Sequence, residues 1–430
     1  MNPSWAHDGR SGCGGESRRL LERRNRWGDM CTYLTDGKRA FIVLYCLTLI
    51  MLLAAERFTF KVMVDRMAPF RFVLTQAVSL CYFMAVGVVV IRKVKLQELS
   101  AHMEGLPKWK LLIMATLDLC HLVPMIVSAT EVAPTLTVLL LQCLEPFCHA
   151  ISCAFCGRGY TAKSALGAGV ILVGTLVAMF LPMYRLYLAL GLGKQQQLLD
   201  NDETGSWNEE LAQVEAYNTL LYMAACVPAA VSTVYKQHVL ENYELPVDSH
   251  QLSLAVTSFE MILILLASPV AYQMQNLGIR EPSNPTLGVS LVDGWRCWAL
   301  MESVEDPDRY SSEAQCAGGL PLVVAYVIAT LLVNFTVQRV VDITESPSLY
   351  YHTTTWSVPA AFIALSFYKE EKWLHDNVNA FTVAGLLIIM VGLHFCHAGS
   401  EPEVQLTFTP VSPDCKRPGW DQSDFGSLNQ

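Results

Sequence analysis

Charge is scarce in this chain: 16% of its 430 residues are Asp, Glu, Lys or Arg, against about 25% in an ordinary soluble domain. A soluble protein of this length would form two or three domains under a broad charged surface. This sequence has too little charge to cover one, which argues against a soluble enzyme. It also lacks any block of Lys and Arg interleaved with aromatics, so nothing supports nucleic-acid binding. There is no Walker loop and no HExxH motif, so neither ATP-driven transport nor zincin chemistry is indicated. No secretory signal peptide is visible. The first apolar run starts near Ala40 behind a polar leader, and it is expected to stay in place as a signal anchor.

Apolar residues are what the chain does have. They make up 52% of it, with a mean hydropathy of +0.33. They spread along most of the length, which excludes fibrous and disordered classes. A polytopic membrane protein remains. The fourteen cysteines are too scattered, in too long a chain, for a disulfide scaffold. Most lie inside apolar runs, where a thiol behaves as a small hydrophobe.

A spanning helix needs about 20 mostly apolar residues. Ten segments qualify: 40–60, 70–91, 109–128, 133–153, 164–184, 213–235, 250–272, 320–341, 347–367 and 379–397. The expected fold class is therefore an all-α polytopic membrane protein with ten transmembrane helices. Lys/Arg bias sets the direction. With both termini in the cytosol, the cytosolic segments hold 19 Lys/Arg and the opposite side 9, while Arg57 and Arg71 fall inside spans. This expectation makes 1–39 a basic cytosolic leader and 398–430 a cytosolic tail. Residues 185–212 become an acidic lumenal loop carrying Asp200, Asp202, Glu203, Glu209 and Glu210. A second lumenal loop, 273–319, contains Cys297 and Cys316, the two cysteines placed on that side. An oxidising lumen favours a Cys297–Cys316 disulfide; two independent buried thiols are the alternative. The stretch from Arg18 to Trp27 reads equally as an amphipathic helix on an anionic leaflet or as a solvated leader.

Two halves, 40–184 and 213–397, can be overlaid. Pro134 and Pro347 are 213 residues apart, and so are Pro146 and Pro359. Spans five and ten share glycines seven apart, Gly167/Gly174 and Gly385/Gly392, at an offset of 218. A five-residue insertion, expected at Tyr368 to Lys372, reconciles the two offsets. Such a glycine face lets helices pack closely in lipid. Five spans per half make the repeats inverted, a feature of secondary transporters. Two pseudo-symmetric halves can exchange conformations, and so give inward- and outward-open states of similar energy.

Charged groups in a bilayer core are costly and tend to face a cavity or a partner. The candidates are Glu56 and Arg57 in span one, Asp118 and His121 in span three, and Gln142 and Glu145 in span four. Glu260 in span seven, Asn334 and Gln338 in span eight, and His352 with Thr353, Thr354 and Thr355 in span nine complete them. Each has a purely structural alternative. Glu56 can pair locally with Arg57 or Arg71, Asp118 with His121, and the amides can be interhelical glue. The threonines can bond back to their own carbonyls. Taken together, four acids and one arginine imply a negative vestibule favouring cations or zwitterions. Asp118, Glu145 and Glu260 are the candidate proton-coupling groups. Pro146 and Pro359 are the candidate hinges. No cofactor or metal is expected: Cys153-x-x-Cys156 has no second pair, and His394, Cys396 and His397 are an equally weak set.

In order and spacing the chain resembles the chloroquine resistance transporter-like family of the drug/metabolite transporter superfamily, from about residue 40 to 397. The matching stretches are Leu117-Asp118-Leu119-Cys120, then Thr137 to Gln142 leading to Pro146, and Leu166-Gly167-Ala168-Gly169-Val170. Pro228 with Val234-Tyr235-Lys236, the cysteine-bearing loop, and Ser357-Val358-Pro359-Ala360 continue the match. The resemblance implies a ten-helix inverted-repeat carrier in the membrane of an acidic vacuole, with a plastid envelope as the alternative. Relatives move drugs, peptides, amino acids or thiols. It also implies that Arg57, Asp118 and Gln142 line the central cavity. Two lumenal-loop cysteines instead of four, and Glu56 beside Arg57, are departures. The expected activity is secondary transport of small cationic or zwitterionic metabolites, with small molecules, lipid and protons as partners. The rivals are a nucleotide-sugar or triose-phosphate type exchanger and a non-transporting receptor or scaffold.

Overall fold

The computed structural model describes residues 37–96, 106–157, 161–196, 204–241, 248–276, 286–300, 318–344, 347–368 and 378–399. Their regular structure is helical. In chain order the helices are α1 (Gly37–Arg66), α2 (Arg71–Lys95), α3 (Lys108–Ala129), α4 (Pro134–Leu141), α5 (Leu144–Cys156), α6 (Ala162–Ala178) and α7 (Phe180–Gln196). Then follow α8 (Thr204–Glu241), α9 (Ser249–Asn276), α10 (Leu287–Trp295), α11 (Gly319–Thr344), α12 (Pro347–Ser366) and α13 (Ala380–Gly399).

The boundaries follow local chemistry. Pro134 and Pro347 open α4 and α12, where a missing N–H goes unmissed. Asp248 caps α9 by accepting from the amides of His250 (2.9 Å) and Gln251 (3.3 Å). Asn379 and Thr382 cap α13 reciprocally: the Thr382 amide donates to Asn379 Oδ1 at 2.9 Å, and the Asn379 amide to Thr382 Oγ1 at 3.1 Å. Gly157, at φ +61°, ends α5 in the left-handed region.

Helices occupy all ten expected segments. Eight stretches are long and apolar enough to cross a membrane, and α6 with the start of α7, bent by 44°, makes a ninth. The 20-residue α12 falls short of that measure because Tyr350, Tyr351, His352 and three threonines crowd its first half. Some helices outrun the expected limits: α7 reaches Gln196 and α8 runs from Thr204 to Glu241.

The fourth span is broken between α4 and α5 at Gln142 and Cys143. Pro146 has no N–H for the carbonyl four residues back, and its ring crowds that carbonyl. The chain tightens instead: the Gln142 amide bonds Leu139 O at 3.1 Å, Cys143 bonds Leu140 O at 3.0 Å, and Glu145 bonds Gln142 O at 3.3 Å.

The most extensive helix pair is α6 with α13. Gly167 faces Gly392 and Cys396 across it, and Gly174 faces Gly385 and Ile389, so backbones meet where side chains would stand. Elsewhere the two halves interlock. α1 packs on α11 and α12, α8 packs on α3, α4 and α5, and α2 packs on α9.

Apolar packing is divided among clusters of unequal size. The largest apolar cluster begins beside α10 with Met63, Met67, Phe70, Phe72, Cys297, Trp298 and Val323 and continues through Leu139, Ile171 and Leu393 to Cys396. Two smaller clusters are separate from it. Leu111, Met114, Val239, Leu252 and Val256 join α3, α8 and α9, while Leu49, Val333 and Val340 join α1 and α11.

The α10 end carries polar caps. Lys61, wholly buried, donates to Ala129 O (2.7 Å) and Val132 O (3.0 Å) and pairs with Asp65 at 2.8 Å. Arg71 donates to Val127 O and Glu131 Oε1, both at 2.9 Å. The two cations thus satisfy the free carbonyls at the C-terminus of α3. Gln275 of α9 ties the start of α2, donating to Pro69 O at 2.6 Å and accepting from the Phe72 amide at 3.2 Å.

Candidate functional site

The polar side chains converge where the two halves meet. On α8, Ser232 and Lys236 are one turn apart and share a face. Both reach Asp118, at the middle of α3. Ser232 donates to Oδ1 at 2.6 Å, and the Lys236 ammonium donates to Oδ1 at 2.8 Å and to Oδ2 at 2.6 Å. On α11, Tyr326 and Thr330 share a face in the same way, and Thr330 donates to Glu56 Oε1 of α1 at 3.1 Å. The Arg57 guanidinium lies 3.9 Å from Glu56 Oε2. Tyr222 and Cys226 of α8 and Tyr326 lie within its electrostatic reach.

Two further groups join these pairs. Glu260 of α9 accepts from Ser79 of α2 at 3.0 Å and lies within reach of both Asp118 and Lys236. His121 sits one turn after Asp118. Its Nδ1 is 2.8 Å from Ala225 O, an acceptor, so Nδ1 carries the proton. Asp118, Arg57 and Lys236 all lie within electrostatic reach of this imidazole. Arg57 is enclosed by protein, yet 33% of its side-chain surface is accessible. Lys236 and Asp118 keep 28% and 26%. Six helices contribute these polar groups: α1, α2, α3, α8, α9 and α11.

Five of the sequence candidates, Glu56, Arg57, Asp118, His121 and Glu260, belong to this polar set. Glu145 belongs elsewhere. It shares a cluster with His149 and Cys148 of α5, Tyr350 of α12 and Cys396 of α13. In that cluster His149 Nδ1 is 2.9 Å from Glu145 O, while Nε2 is 2.8 Å from Ser164 Oγ and 3.5 Å from Cys396 Sγ. Gln142 donates to Val138 O of its own chain segment at 3.1 Å, beside the break. Thr354 bonds Tyr351 O at 2.9 Å and Thr353 bonds Leu349 O at 2.7 Å, so both hydroxyls are used within α12. Thr355 also meets His397 Nδ1, at 3.0 Å. Gln338 donates to Ser249 Oγ at 2.7 Å, tying α11 to the start of α9, and Asn334 is half-buried one turn earlier on α11. Pro146 accompanies a break, whereas Pro359 lies inside a continuous α12. Cys297 is disulfide-bonded; Cys316 lies outside the described residues.

Lys236, the partner of Asp118, is the member of this polar set absent from the sequence candidates. Ending the sixth span at residue 235 put this lysine in the cytosol. α8 continues to Glu241, with Val239 buried against α3 and α9. That apolar residue, beyond the assumed boundary, was the available signal. With Lys236 included, three acids, Glu56, Asp118 and Glu260, stand beside two cations, Arg57 and Lys236, and each cation is paired with an acid.

The fold is that of a multi-pass helical membrane protein with an enclosed polar site. The family model of the CRT-like, or chloroquine-resistance transporter-like, proteins matches residues 42–395. The chain belongs to this family, whose name is that of a transporter family. It is also similar to a chloroquine resistance transporter of Toxoplasma gondii, 25% identical over 395 residues. That alignment covers 89% of this chain and 40% of the relative, so the chain spans about two fifths of the relative's length.

Proposed function

We propose that the chain is a ten-span secondary carrier of two inverted five-helix halves, moving small zwitterionic or cationic metabolites by alternating access. Amino acids, short peptides, thiols and drug-like amines are the substrate classes. The observation that carries the reading is the two ion pairs carried by spanning helices, Asp118–Lys236 and Glu56–Arg57, with Asp118, Lys236 and Arg57 each keeping a quarter to a third of the side chain accessible. A scaffold has no use for accessible charge in that position, whereas a carrier binding charged solutes needs it. The reciprocal packing of α1 on α11 and α12, and of α8 on α3, α4 and α5, supports the repeat.

The Lys/Arg bias supports cytosolic termini, which makes the α10 end lumenal. The membrane of an acidic vacuole or lysosome is the assigned location. Asp118, Glu145 and Glu260 are the groups through which protons would couple. A phosphate-sugar exchanger fits less well, since Lys236 is balanced by Asp118 and Arg57 by Glu56.

The test is uptake into proteoliposomes of labelled amino acids, dipeptides and glutathione, with and without an imposed pH gradient. Flux that falls in Glu56→Gln and Asp118→Asn is the expected result. Loss of gradient dependence in one of Asp118→Asn, Glu145→Gln and Glu260→Gln would identify the coupling group. Absence of flux for every compound, or flux untouched by neutralising Glu56 and Asp118, overturns the reading.

A further inference from the structure

We propose that Lys236 sets the charge class the carrier accepts. It neutralises Asp118 while the site is empty, and it receives the carboxylate of a zwitterionic substrate whose ammonium takes its place on Asp118. This deepens the carrier reading and rests on it.

The argument starts from the geometry of the pair. The ammonium contacts both oxygens of Asp118 at 2.8 and 2.6 Å, and Ser232 fixes Oδ1 from the adjacent turn. Neither side chain is sealed, since each keeps about a quarter of its surface accessible. A solute can therefore reach the pair. What it must carry follows from charge balance in a low-dielectric enclosure. A simple amine that takes Asp118 strands the Lys236 ammonium without an anion. A simple carboxylate that takes Lys236 strands Asp118. Leaving one partner of an enclosed ion pair uncompensated is far costlier than exchanging both. A molecule with both charges exchanges both. Glu260, within reach of Asp118 and Lys236, offers the incoming ammonium a second carboxylate. Arg57, held loosely by Glu56 at 3.9 Å, offers the substrate carboxylate a second cation. His121, one turn from Asp118, has its Nδ1 committed to Ala225 O.

The experiment uses the purified full chain in proteoliposomes and three labelled pairs that differ by one carboxylate: histidine and histamine, arginine and agmatine, tyrosine and tyramine. In the wild type each amino acid should move at least about tenfold faster than its amine, the modest end of what one stranded charge costs. In Lys236→Gln the order should invert, because Asp118 then stands alone and seeks a cation. Lys236→Arg should keep the wild-type order. Asp118→Asn with Lys236→Gln, which leaves no unpaired charge, should move both members of each pair within about twofold, too small a ratio to signal a stranded charge. This double variant and Lys236→Arg keep the test decisive if Lys236→Gln folds poorly. An unchanged amino-acid preference in Lys236→Gln or in the double variant, or a wild type that prefers the amines, overturns this proposal alone. Wild-type vesicles that move none of the six compounds overturn the carrier reading beneath it.

Discussion

The closest backbone approach in the protein makes the sharpest stability prediction. A Cβ added at Gly167 would stand 2.4 Å from the Cys396 amide nitrogen, 2.7 Å from Gly392 O and 2.8 Å from Cys396 Cα. Ordinary carbon contacts need about 1 Å more. Every one of these atoms is backbone, so no side chain can swing aside and α6 and α13 must part. Overpacking of this kind costs about 1–3 kcal/mol, and backbone obstruction places it at the top of that range. Alanine returns about 1 kcal/mol through helix propensity. Gly167→Ala should therefore destabilise by about 2 kcal/mol. Gly169, two residues along, is the internal control: nothing lies within 4 Å of its added Cβ, so Gly169→Ala keeps the propensity gain of up to about 1 kcal/mol. The assay is the thermal unfolding midpoint of purified protein in one detergent. A lowered midpoint for Gly167→Ala beside a raised one for Gly169→Ala is the expected pattern. Equal shifts in the two variants, or a Gly167→Ala midpoint at or above wild type, would refute the close seam.

Three further predictions test other features. Lys61→Met removes the cation shared by Asp65, Ala129 O and Val132 O, and should cost about 3–5 kcal/mol; a midpoint unchanged from wild type would remove its role as the cap of α3. Asp248 lies just outside the ninth helix. Burial raises its pKa, but the Lys93 hydrogen bond and charge and the amides of His250 and Gln251 outweigh that and hold it below the ordinary 3.8. A depressed carboxylate contributes stability that is present above its unfolded pKa and lost as pH falls through the folded value. The stability difference between wild type and Lys93→Ala should therefore be flat above about pH 5 and shrink on acidification below about pH 4; a gap that stays constant or widens on acidification is the contrary result. Finally, peptide mapping without reductant should recover Cys297 linked to Cys316, while recovery of Cys316 as a free thiol would assign the bond of Cys297 to another cysteine.

The helical course of the chain was legible because long apolar runs need no partner to be recognised. The glycine seam was legible for a similar reason: residues seven apart repeat on one face, and Gly167/Gly174 and Gly385/Gly392 name it. The site was only half legible. Glu56, Arg57, Asp118, His121 and Glu260 are conspicuous as polar atoms in apolar runs. Which of them meet is a matter of interhelical geometry, which one-dimensional spacing does not encode. Glu145 therefore turned out to accompany His149 and Cys396. Lys61, assigned to a lumenal loop, proved to be wholly buried because α1 runs on to Arg66 and delivers the lysine to the end of α3. Pro146 was read as a hinge at its own position. The break lies upstream, at Gln142 and Cys143, because the carbonyl a proline leaves unbonded is the one four residues earlier.

The unequal behaviour of the two prolines has a consequence for the transport cycle. Pro146 sits just after an interruption in its span, while Pro359, 213 residues on, sits inside one continuous helix. In the carrier proposed above, two copies of one motif would rest in different shapes and turn over by trading them. The opposite-facing conformer should then carry its kink near Thr355 and Trp356 and a straightened α4–α5, so that the location of the bend reports which side of the membrane the pocket is serving.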